Sequence, residues 1–200
     1  MTALGRARYS FGMAPGSALL VLWVTWLLSW FLAAAWSRRT RVRQAGAEQL
    51  QYGIWIWAGA LLLFGGSRRL GPLLDPIYPE SRVLGWAAIV AVALGLGWTW
   101  WARIHLGSLW SGVVALKVDH QVVRTGPYRV TRHPIYSGLL FALLATALIR
   151  DSWAAIAGWL LVLAGFIVKL RQEERLLSSV LGAEYSQYQL DVPALVPGLW

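Results

Sequence analysis

The chain has 200 residues, of which 58% are hydrophobic, and its mean hydropathy is +0.53. This composition excludes an ordinary soluble domain and indicates a membrane protein. The formal charge is +9 and cysteine is absent, which excludes disulfides and thiolate metal sites. Because the basic residues lie in short segments between apolar runs, we interpret the charge as contact with membrane lipids and predict no nucleic acid partner.

Five apolar runs predict about five transmembrane helices, since about twenty residues cross a hydrocarbon core of about 30 Å. The first run ends in Ser37-Arg38-Arg39, not in a small-residue cleavage site, so we predict a span there and not a signal peptide. Trp26 and Trp159 lie in the middle of runs and are predicted to pack between helices. In chain order, the predicted spans lie near residues 17–36, 50–66, 83–102, 135–149 and 152–168.

The last two runs are short and are separated only by Arg150 and Asp151, which predicts a tight helical hairpin over residues 135–168. We therefore predict an all-α, polytopic fold in a single membrane domain, residues 1–200. Its N-terminal part, residues 1–102, contributes three transmembrane helices. Its C-terminal part, residues 103–200, holds the hairpin, the tail and most of the polar residues capable of chemistry.

The distribution of Lys and Arg predicts an orientation, because cytoplasmic loops near a membrane are enriched in them. In the five-span scheme, twelve of the 18 fall on one side and six on the other. This predicts a multi-pass protein of a bacterial inner membrane or its equivalent, with the N-terminus outside and the C-terminus cytoplasmic. The cytoplasmic set is Arg38, Arg39, Arg41, Arg43, Arg103, Lys117, Arg124, Arg129, Arg132, Lys169, Arg171 and Arg175, and the outer set is Arg6, Arg8, Arg68, Arg69, Arg82 and Arg150.

The most specific pattern precedes the hairpin and reads Arg124-Thr-Gly-Pro-Tyr128-Arg-Val-Thr-Arg132-His133-Pro134-Ile-Tyr136-Ser-Gly138. Pro134 suits the first position of a helix and favours extended backbone at His133, which is predicted just outside the helix. The N–H groups of that first turn favour an anion. Tyr128 and Tyr136 offer aromatic surface for a nucleobase or the rim of a lipid pocket. The alternative is a plain cytoplasmic boundary, with the tyrosines as interface anchors.

The exit of the fifth span mixes acidic and basic residues, Lys169-Leu-Arg171-Gln172-Glu173-Glu174-Arg175. If this segment is helical, Lys169 and Glu173 share a face and can interact. Glu173 or Glu174 could receive an ammonium group or the ribose hydroxyls of a cofactor. The alternative is a solvated juxtamembrane helix whose ion pairs contribute little to stability.

The tail carries Tyr185 and Tyr188, which are three residues apart and would share a helix face. They could form a lid, or an amphipathic anchor on the bilayer surface, and the sequence alone favours the anchor. The chain closes with Val196-Pro-Gly-Leu-Trp200.

Signatures of soluble cofactor domains and metal sites are missing from the sequence. It has no Gly-Lys-Ser/Thr phosphate loop, and Gly95-Leu-Gly97 is followed by Trp100 where a dinucleotide fingerprint needs its third glycine. A Rossmann domain is therefore excluded. The three histidines, His105, His120 and His133, lack the spacing of a zinc site, so we predict no metal.

Taken together, Gly-Pro-Tyr-Arg-x-x-Arg-His-Pro-x-Tyr, a helical hairpin, Glu-Glu-x-x-Leu and Gly-x-Glu-Tyr-x-x-Tyr resemble the isoprenylcysteine carboxyl methyltransferase family, including its prokaryotic members. The match covers about residues 115–197. The resemblance implies a membrane enzyme that binds S-adenosyl-L-methionine in a cytoplasm-facing pocket, while a lipophilic methyl acceptor enters from the bilayer. The acceptor that it implies is the carboxylate of a prenylated cysteine or a similar isoprenoid.

The resemblance also implies site residues. A substrate-side arginine of the family falls at Lys169, which keeps the positive charge but lacks the planar guanidinium. Arg171 or Arg175 is therefore an alternative contact for the acceptor. Arg171 is also a catalytic candidate. A carboxylate acceptor needs no general base, whereas an amine acceptor would need one, for which His133 and Glu174 are candidates. The implied cofactor residues are His120, Gln121, Val122, Val123, Tyr128, His133, Pro134, Ile135, Tyr136 and Glu173, to which Tyr185 and Tyr188 are added as a possible lid.

Three other functions stay open at this point. A phospholipid N-methyltransferase and an NADPH-dependent sterol-reductase-like enzyme look similar around the His-Pro-x-Tyr segment, and the basic loop suits a 2′-phosphate. A non-catalytic membrane subunit could use the basic face for lipid or partner contact.

Overall fold

The structure is a computed structural model that describes residues 14–65 and 68–196, with the backbone alone for Arg68 and Arg69. Arg6 and Arg8, which enter the predicted orientation, and the closing residues 197–200 lie outside the described residues. Inside these ranges the chain is mainly helical, which confirms the all-α class. The helices are α1 (Pro15–Ala34), α2 (Gly46–Phe64), α3 (Arg82–Leu106), α4 (Pro134–Arg150), α5 (Trp153–Leu181) and α6 (Ala183–Asp191).

Three segments of the described chain are long and apolar enough to cross a membrane: Pro15–Ala34, Arg82–Leu109 and Trp153–Leu181. Helix α4 is a shorter apolar helix, and α2 has 19 residues and coincides with the second predicted run. Each of the five predicted runs thus contains most of one of these helices. The number that crosses the bilayer stays a prediction.

The predicted hairpin is confirmed. Helix α4 ends at Arg150, Asp151 adopts left-handed backbone with φ 44° and ψ 57°, and α5 starts at Trp153 after Ser152. The Ser152 side chain accepts a hydrogen bond from the Ala155 N–H, which caps the new helix. Beyond the predicted end of the span near residue 168, α5 continues without a break to Leu181. The acidic exit segment is therefore an extension of the same helix.

The helices pack in two close pairs, α2 along α5 and α3 along α4. The second pair crosses at Gly95 and Gly138, where a Cβ atom on either glycine would lie 2.8 Å from the carbonyl oxygen of the other. Only residues without a side chain permit this approach, as at many helix contacts in membranes.

Tryptophan N–H groups inside the bundle have hydrogen-bond acceptors, which confirms the prediction for the mid-span residues. Trp26 donates to the Thr99 hydroxyl at 2.8 Å, and Trp159 donates to the Leu140 carbonyl at 2.9 Å. Because water is scarce in such a core, these bonds avoid the cost of a buried unpaired donor.

A two-stranded antiparallel sheet, which the sequence did not predict, joins β1 (Thr40–Arg43) to β2 (Ala115–Lys117). It ties the segment after α1 to the loop after α3. Arg103, counted above among basic residues near lipid, is instead fully buried. Its guanidinium donates to the Ala33 carbonyl at 2.8 Å and contacts the rings of Trp36 and Trp110. The predicted lipid contact of Arg103 is therefore wrong, because its guanidinium binds the carbonyl end of α1.

Candidate functional site

One cavity of about 810 Å³ lies between α2, α5, α6, the start of α4 and the loop after α3. Its volume is within the range of pockets that bind small molecules. All twelve residues predicted to hold a cofactor line it, although they come from five separate stretches of the chain. They are His120, Gln121, Val122, Val123, Tyr128, His133, Pro134, Ile135, Tyr136, Glu173, Tyr185 and Tyr188. Their predicted role in cofactor binding stays a prediction.

The loop motif is shaped by its glycine and prolines. Gly126 has φ 57°, and the ring of His105 occupies the space that a Cβ atom there would need. Residues Gly126–Arg129 then form a short 3₁₀ turn that buries Tyr128. This compact turn delivers the chain to the start of α4, where Pro134 is the first helical residue as predicted.

His133 directly precedes α4, with φ −121° and ψ 60°, so its backbone is less extended than predicted. The N–H groups of Tyr136 and Ser137 both donate to the His133 carbonyl at 3.0 Å. The Ser137 bond is the first ordinary bond of the helix, whereas the Tyr136 bond uses a donor that a helix start usually leaves unpaired. The predicted anion site at this helix start stays a prediction, with fewer available donors than the sequence suggested.

Glu174 joins the loop, α5 and α6. Its Oε1 accepts from Arg132 Nε at 2.7 Å and lies 3.2 Å from His133 Nε2, while Oε2 accepts from Gln189 Nε2 at 3.2 Å. Because a carboxylate can only accept, His133 Nε2 is the donor in this contact. Arg132 also donates to the carbonyls of Gln189, at 2.9 Å, and of Val192.

Those contacts bear on the candidate role of Glu174 as a general base, which stays a prediction. Its carboxylate is bound by three protein donors and does not line the cavity. A base must have a free lone pair within reach of the proton that it removes. The geometry instead makes Glu174 a structural link that fixes the loop to the helices.

Glu173, the next residue, lines the cavity, and its side chain is 33% exposed. Its Oε2 accepts a hydrogen bond from the Tyr136 hydroxyl at 2.6 Å and lies 3.9 Å from His133 Nδ1. The ring of Tyr136 stacks on His133 on one side, 5.3 Å between centroids, and on Phe166 on the other, 5.0 Å. Adjacent carboxylates on one helix thus face different surroundings, one structural and one open to the cavity.

Lys169 lies one helical turn before Glu173 and also lines the cavity. Its ammonium donates to the Gly112 carbonyl at 2.9 Å and lies over the rings of Tyr52 and Tyr136, at 5.4 and 5.3 Å from their centroids. These contacts stabilise a cation in a largely apolar wall.

Arg171 and Arg175 do not line the cavity; they are exposed on another face of α5, and Arg175 donates to the Arg171 carbonyl. A helix turns 100° per residue, so two positions after Lys169 the side chain points away. The structure therefore offers no support for either arginine as an acceptor contact, or for Arg171 as a catalytic residue. Lys169, by contrast, lines the cavity, and its predicted contact with the acceptor stays a prediction.

Tyr185 and Tyr188 are each only 3% exposed. The Tyr188 hydroxyl donates to the Tyr128 carbonyl at 2.6 Å, and Arg124 packs over the Tyr188 ring while its guanidinium bonds to the Glu184 carbonyl. The preferred interpretation of these two rings as a bilayer-surface anchor is wrong, because α6 folds back onto the loop and buries them. They form part of the cavity wall.

Burial also sets the protonation of several cavity groups. It raises the pKa of Tyr188 to about 12 and raises the pKa values of Tyr128 and Tyr185 above their ordinary 10. Burial lowers the pKa of His120, against an opposing effect of Glu173. At neutral pH the three tyrosines are therefore neutral donors, and His120 is neutral.

His120 Nδ1 is buried and has no hydrogen-bond partner among the described residues. A buried polar atom without a partner costs free energy, so its presence on a cavity wall indicates that something else satisfies it. A ligand polar group or a water molecule would do so.

Sequence reasoning missed the wall that α2 contributes. Tyr52, Gly53, Ile56 and Trp57 line the cavity beside α5. A signal existed in the sequence. Glu48, Gln49, Gln51 and Tyr52 make the start of this apolar helix unusually polar, and polar residues in such a helix often mark function. The contact of α2 with α5 is long-range and was not visible in either segment alone.

No group of three or more His, Asp or Glu residues is arranged to hold a metal ion in residues 14–65 and 68–196.

Comparison with known proteins agrees with this geometry. The model of the isoprenylcysteine carboxyl methyltransferase (ICMT) family matches residues 87–179, a segment that includes the loop, the hairpin and Glu173.

Three curated relatives from different organisms are similar to the chain. A Schizosaccharomyces pombe protein-S-isoprenylcysteine O-methyltransferase is 33% identical over 99 residues, 48% of this chain and 42% of the relative. The Cupriavidus metallidurans cobalt-zinc-cadmium resistance protein CzcN is 30% identical over 142 residues, which are 70% of this chain and 58% of the relative. The Bradyrhizobium diazoefficiens methanethiol S-methyltransferase 2 is 34% identical over 158 residues, which are 70% of this chain and 56% of the relative.

The chain spans about half the length of these curated relatives. The match of the family model, the similarity to relatives from fungi and bacteria, and the convergence of the motif residues on one cavity agree with one another. Residues 87–179 of the chain are similar to the isoprenylcysteine carboxyl methyltransferase family.

Proposed function

We propose that this protein transfers a methyl group from S-adenosyl-L-methionine to a lipophilic acceptor, the carboxylate of a prenylated cysteine or a similar isoprenoid. The observation that carries the proposal is the composition of the cavity. Polar groups from the family segment, among them His120, His133 and Glu173, line it together with apolar side chains such as Ile56 and Phe166. A polar methyl donor and an apolar acceptor need such a shared space.

The residues present fit the proposed cofactor. Glu173 offers a partly exposed carboxylate for an ammonium or ribose hydroxyls, and His120 Nδ1 offers a buried polar atom that lacks a partner among the described groups. The rings of Tyr128, Tyr185 and Tyr188 offer flat surfaces for the adenine. When bound, S-adenosyl-L-methionine supplies an activated methyl group on a sulfonium.

The chain itself contributes positioning and the exclusion of water. Glu174 and Arg132 fix the loop against α5 and α6, and the buried rings of α6 cover the cavity on that side. Methyl transfer to a carboxylate needs correct alignment and a dry site more than it needs a base. Because Glu174 is engaged by protein donors, the site suits a carboxylate better than an amine, which would have to lose a proton.

An entrance from the bilayer is proposed along α2. Leu50, Ile54 and Trp57 follow one face of this helix, line the cavity and are 63%, 64% and 73% exposed. Apolar side chains this exposed are stable if they face lipid. An acceptor with an isoprenoid chain would enter beside them without leaving the hydrocarbon.

The proposed orientation places the cavity at the cytoplasmic face of an inner membrane or its equivalent, and we propose that residues 1–200 act as one unit. The chain has no cysteine, so single cysteines at Arg129, Glu184 and Asp75 can each be labelled uniquely. Impermeant reagents should reach Arg129→Cys and Glu184→Cys from the same side and Asp75→Cys from the other. Labelling of Arg129→Cys and Glu184→Cys from opposite sides would refute the shared pocket.

The test of function combines binding and turnover of the purified protein in detergent. S-adenosylhomocysteine should raise the melting temperature, since it binds only the folded state, and NADPH should not. Labelled methyl should pass to a prenylated cysteine. Stabilisation by NADPH alone would favour the reductase, and no response to either would favour a non-catalytic subunit.

The acceptor panel should separate the remaining chemistries. It contains a prenylated cysteine, its carboxamide, phosphatidylethanolamine and methanethiol, the last because one relative is named for that thiol. Labelling of phosphatidylethanolamine without labelling of the prenylated cysteine would replace the proposed acceptor by an amine lipid.

A further inference from the structure

Tyr52 of α2 carries a buried hydroxyl without a hydrogen-bond partner. The residue is 6% exposed and lines the cavity, and its oxygen contacts no suitable donor or acceptor within the part of the chain that the structure describes. The backbone N–H of Val114 approaches this oxygen as a donor, outside good hydrogen-bond geometry, and the proton of the hydroxyl has no acceptor among the described residues. If this position only packed against apolar groups, phenylalanine would be more stable here, because an unpaired buried hydroxyl costs free energy.

The Tyr52 ring also forms one side of the site that holds the Lys169 ammonium. The ammonium lies 5.4 Å from the centre of this ring and uses one of its three donors on the Gly112 carbonyl at 2.9 Å. The cavity wall thus presents a positive charge beside a hydroxyl that has a proton to donate. That combination of donors is what an anionic oxygen binds.

The opposite charge lies one turn further along α5. Glu173 also lines the cavity and accepts from Tyr136. An anion placed near Glu173 would be repelled, and a cation placed near Lys169 would be repelled as well. The cavity therefore favours the cationic part of a ligand beside Glu173 and the anionic part beside Lys169 and Tyr52.

We propose that Tyr52 determines acceptor specificity, because its hydroxyl and the Lys169 ammonium together bind the anionic head group of the acceptor. This rests on the proposed function and narrows it, since the site selects a carboxylate and disfavours a phospholipid amine, which is cationic at neutral pH. Tyr52 lies outside the segment that matches the family model, residues 87–179.

Binding without the methyl donor tests the proposal. N-acetyl-S-farnesylcysteine and its carboxamide share the same lipid chain, so partition into detergent affects each probe equally in every variant. The measured quantity is the ratio of the two dissociation constants, carboxamide over carboxylate. In the unmodified protein the carboxylate should bind about tenfold more tightly or better, as expected for charge-assisted hydrogen bonds.

Two substitutions should reduce that preference. Tyr52→Phe should lower the ratio by about tenfold and leave carboxamide binding nearly unchanged. Lys169→Met should lower it as well, and the double variant should lose less than the product of the single losses, because both groups bind one anion. Tyr78→Phe is the matched control, since the Tyr78 hydroxyl donates to Leu148 far from this cavity, and it should keep the ratio.

The outcomes separate this inference from the proposed function. An unchanged ratio in Tyr52→Phe, or equal weakening of both probes, overturns the role of Tyr52 even if the protein methylates the farnesylcysteine. A carboxylate preference that Tyr52→Phe removes supports the anion site even if no methyl transfer occurs, in which case the methyltransferase proposal fails alone. The melting temperature of Tyr52→Phe without ligand serves as the check on folding.

Discussion

Neighbouring carboxylates on α5 should respond in opposite ways to the same isosteric change. Glu174 accepts hydrogen bonds from Arg132 at 2.7 Å, His133 at 3.2 Å and Gln189 at 3.2 Å, whereas Glu173 accepts from Tyr136 and is partly open to the cavity. We predict that Glu174→Gln mainly destabilises the fold. Glu173→Gln should mainly weaken binding of the cofactor.

The magnitude follows from the contacts. The Arg132 and Glu174 side chains are only 9% and 15% exposed, so the charge of Arg132 is poorly compensated once Glu174 becomes neutral. Glutamine keeps the shape and one acceptor, which limits the expected loss to roughly 2 to 4 kcal/mol. For a chain of this length that lowers the melting temperature by roughly 5 to 15 °C. Glu173→Gln should change stability by less than about 1 kcal/mol, because Tyr136 can still donate to the amide oxygen.

The assay compares thermal unfolding of both variants in the same detergent, with and without S-adenosylhomocysteine. Glu174→Gln should unfold at lower temperature but retain a ligand-induced increase at temperatures where it is folded. Glu173→Gln should unfold like the unmodified protein and lose most of that increase, as about tenfold weaker binding requires. Equal melting temperatures for the two variants, or an intact ligand response in Glu173→Gln, would refute the division of roles.

Three further predictions concern the bundle, the pH and the tail. Gly95→Ala should lower the melting temperature and the yield of folded protein, because its Cβ would meet the Gly138 carbonyl at 2.8 Å, whereas Gly97→Ala, with nothing within 4 Å, should be tolerated in the same assay. Burial lowers the pKa of His120 below its ordinary 6.5, so the folded state binds fewer protons than the unfolded state. The contribution of this group to stability should therefore be complete above pH 6.5 and decline as the pH falls below it. A profile of melting temperature from pH 8 to 5 should be flatter for His120→Gln than for the unmodified protein, and parallel profiles would contradict this assignment. Removing all residues after Val192 should reduce S-adenosylhomocysteine binding more than Tyr78→Phe does, because the Pro193 and Ala194 carbonyls accept from the N–H groups at the end of the loop.

Local chemistry made the hairpin and the motif predictable. Pro134 fixes a helix start, and Arg150 with Asp151 interrupts two apolar runs, so both helix boundaries followed from neighbouring residues. The separate stretches of the predicted cofactor site converge for a topological reason, since an antiparallel pair of helices returns the chain to its starting end. These inferences needed no knowledge of distant contacts.

Features that depend on distant partners were not predictable in the same way. The strands β1 and β2 have four and three residues, too short for an alternating pattern to be read. Nothing in the Glu173-Glu174 dipeptide says which carboxylate faces the cavity, because that depends on how Arg132 approaches α5. Likewise, the burial of Arg103 among the rings of Trp36 and Trp110 comes from three separate segments.

The cavity is formed partly by the segment that matches the family model, residues 87–179, and partly by α2, which lies outside that segment. Residues proposed to hold the cofactor lie mainly between 115 and 188, within or close to the matched segment 87–179, whereas Tyr52, Ile56 and Trp57 lie well before it. One wall can therefore be retained while the other changes. The curated relatives are named for acceptors as different as isoprenylcysteine and methanethiol. On the proposed function, replacing α2 by the equivalent helix of the methanethiol S-methyltransferase should change acceptor preference and leave S-adenosylhomocysteine stabilisation intact, and loss of both together would show that the two walls cannot be separated.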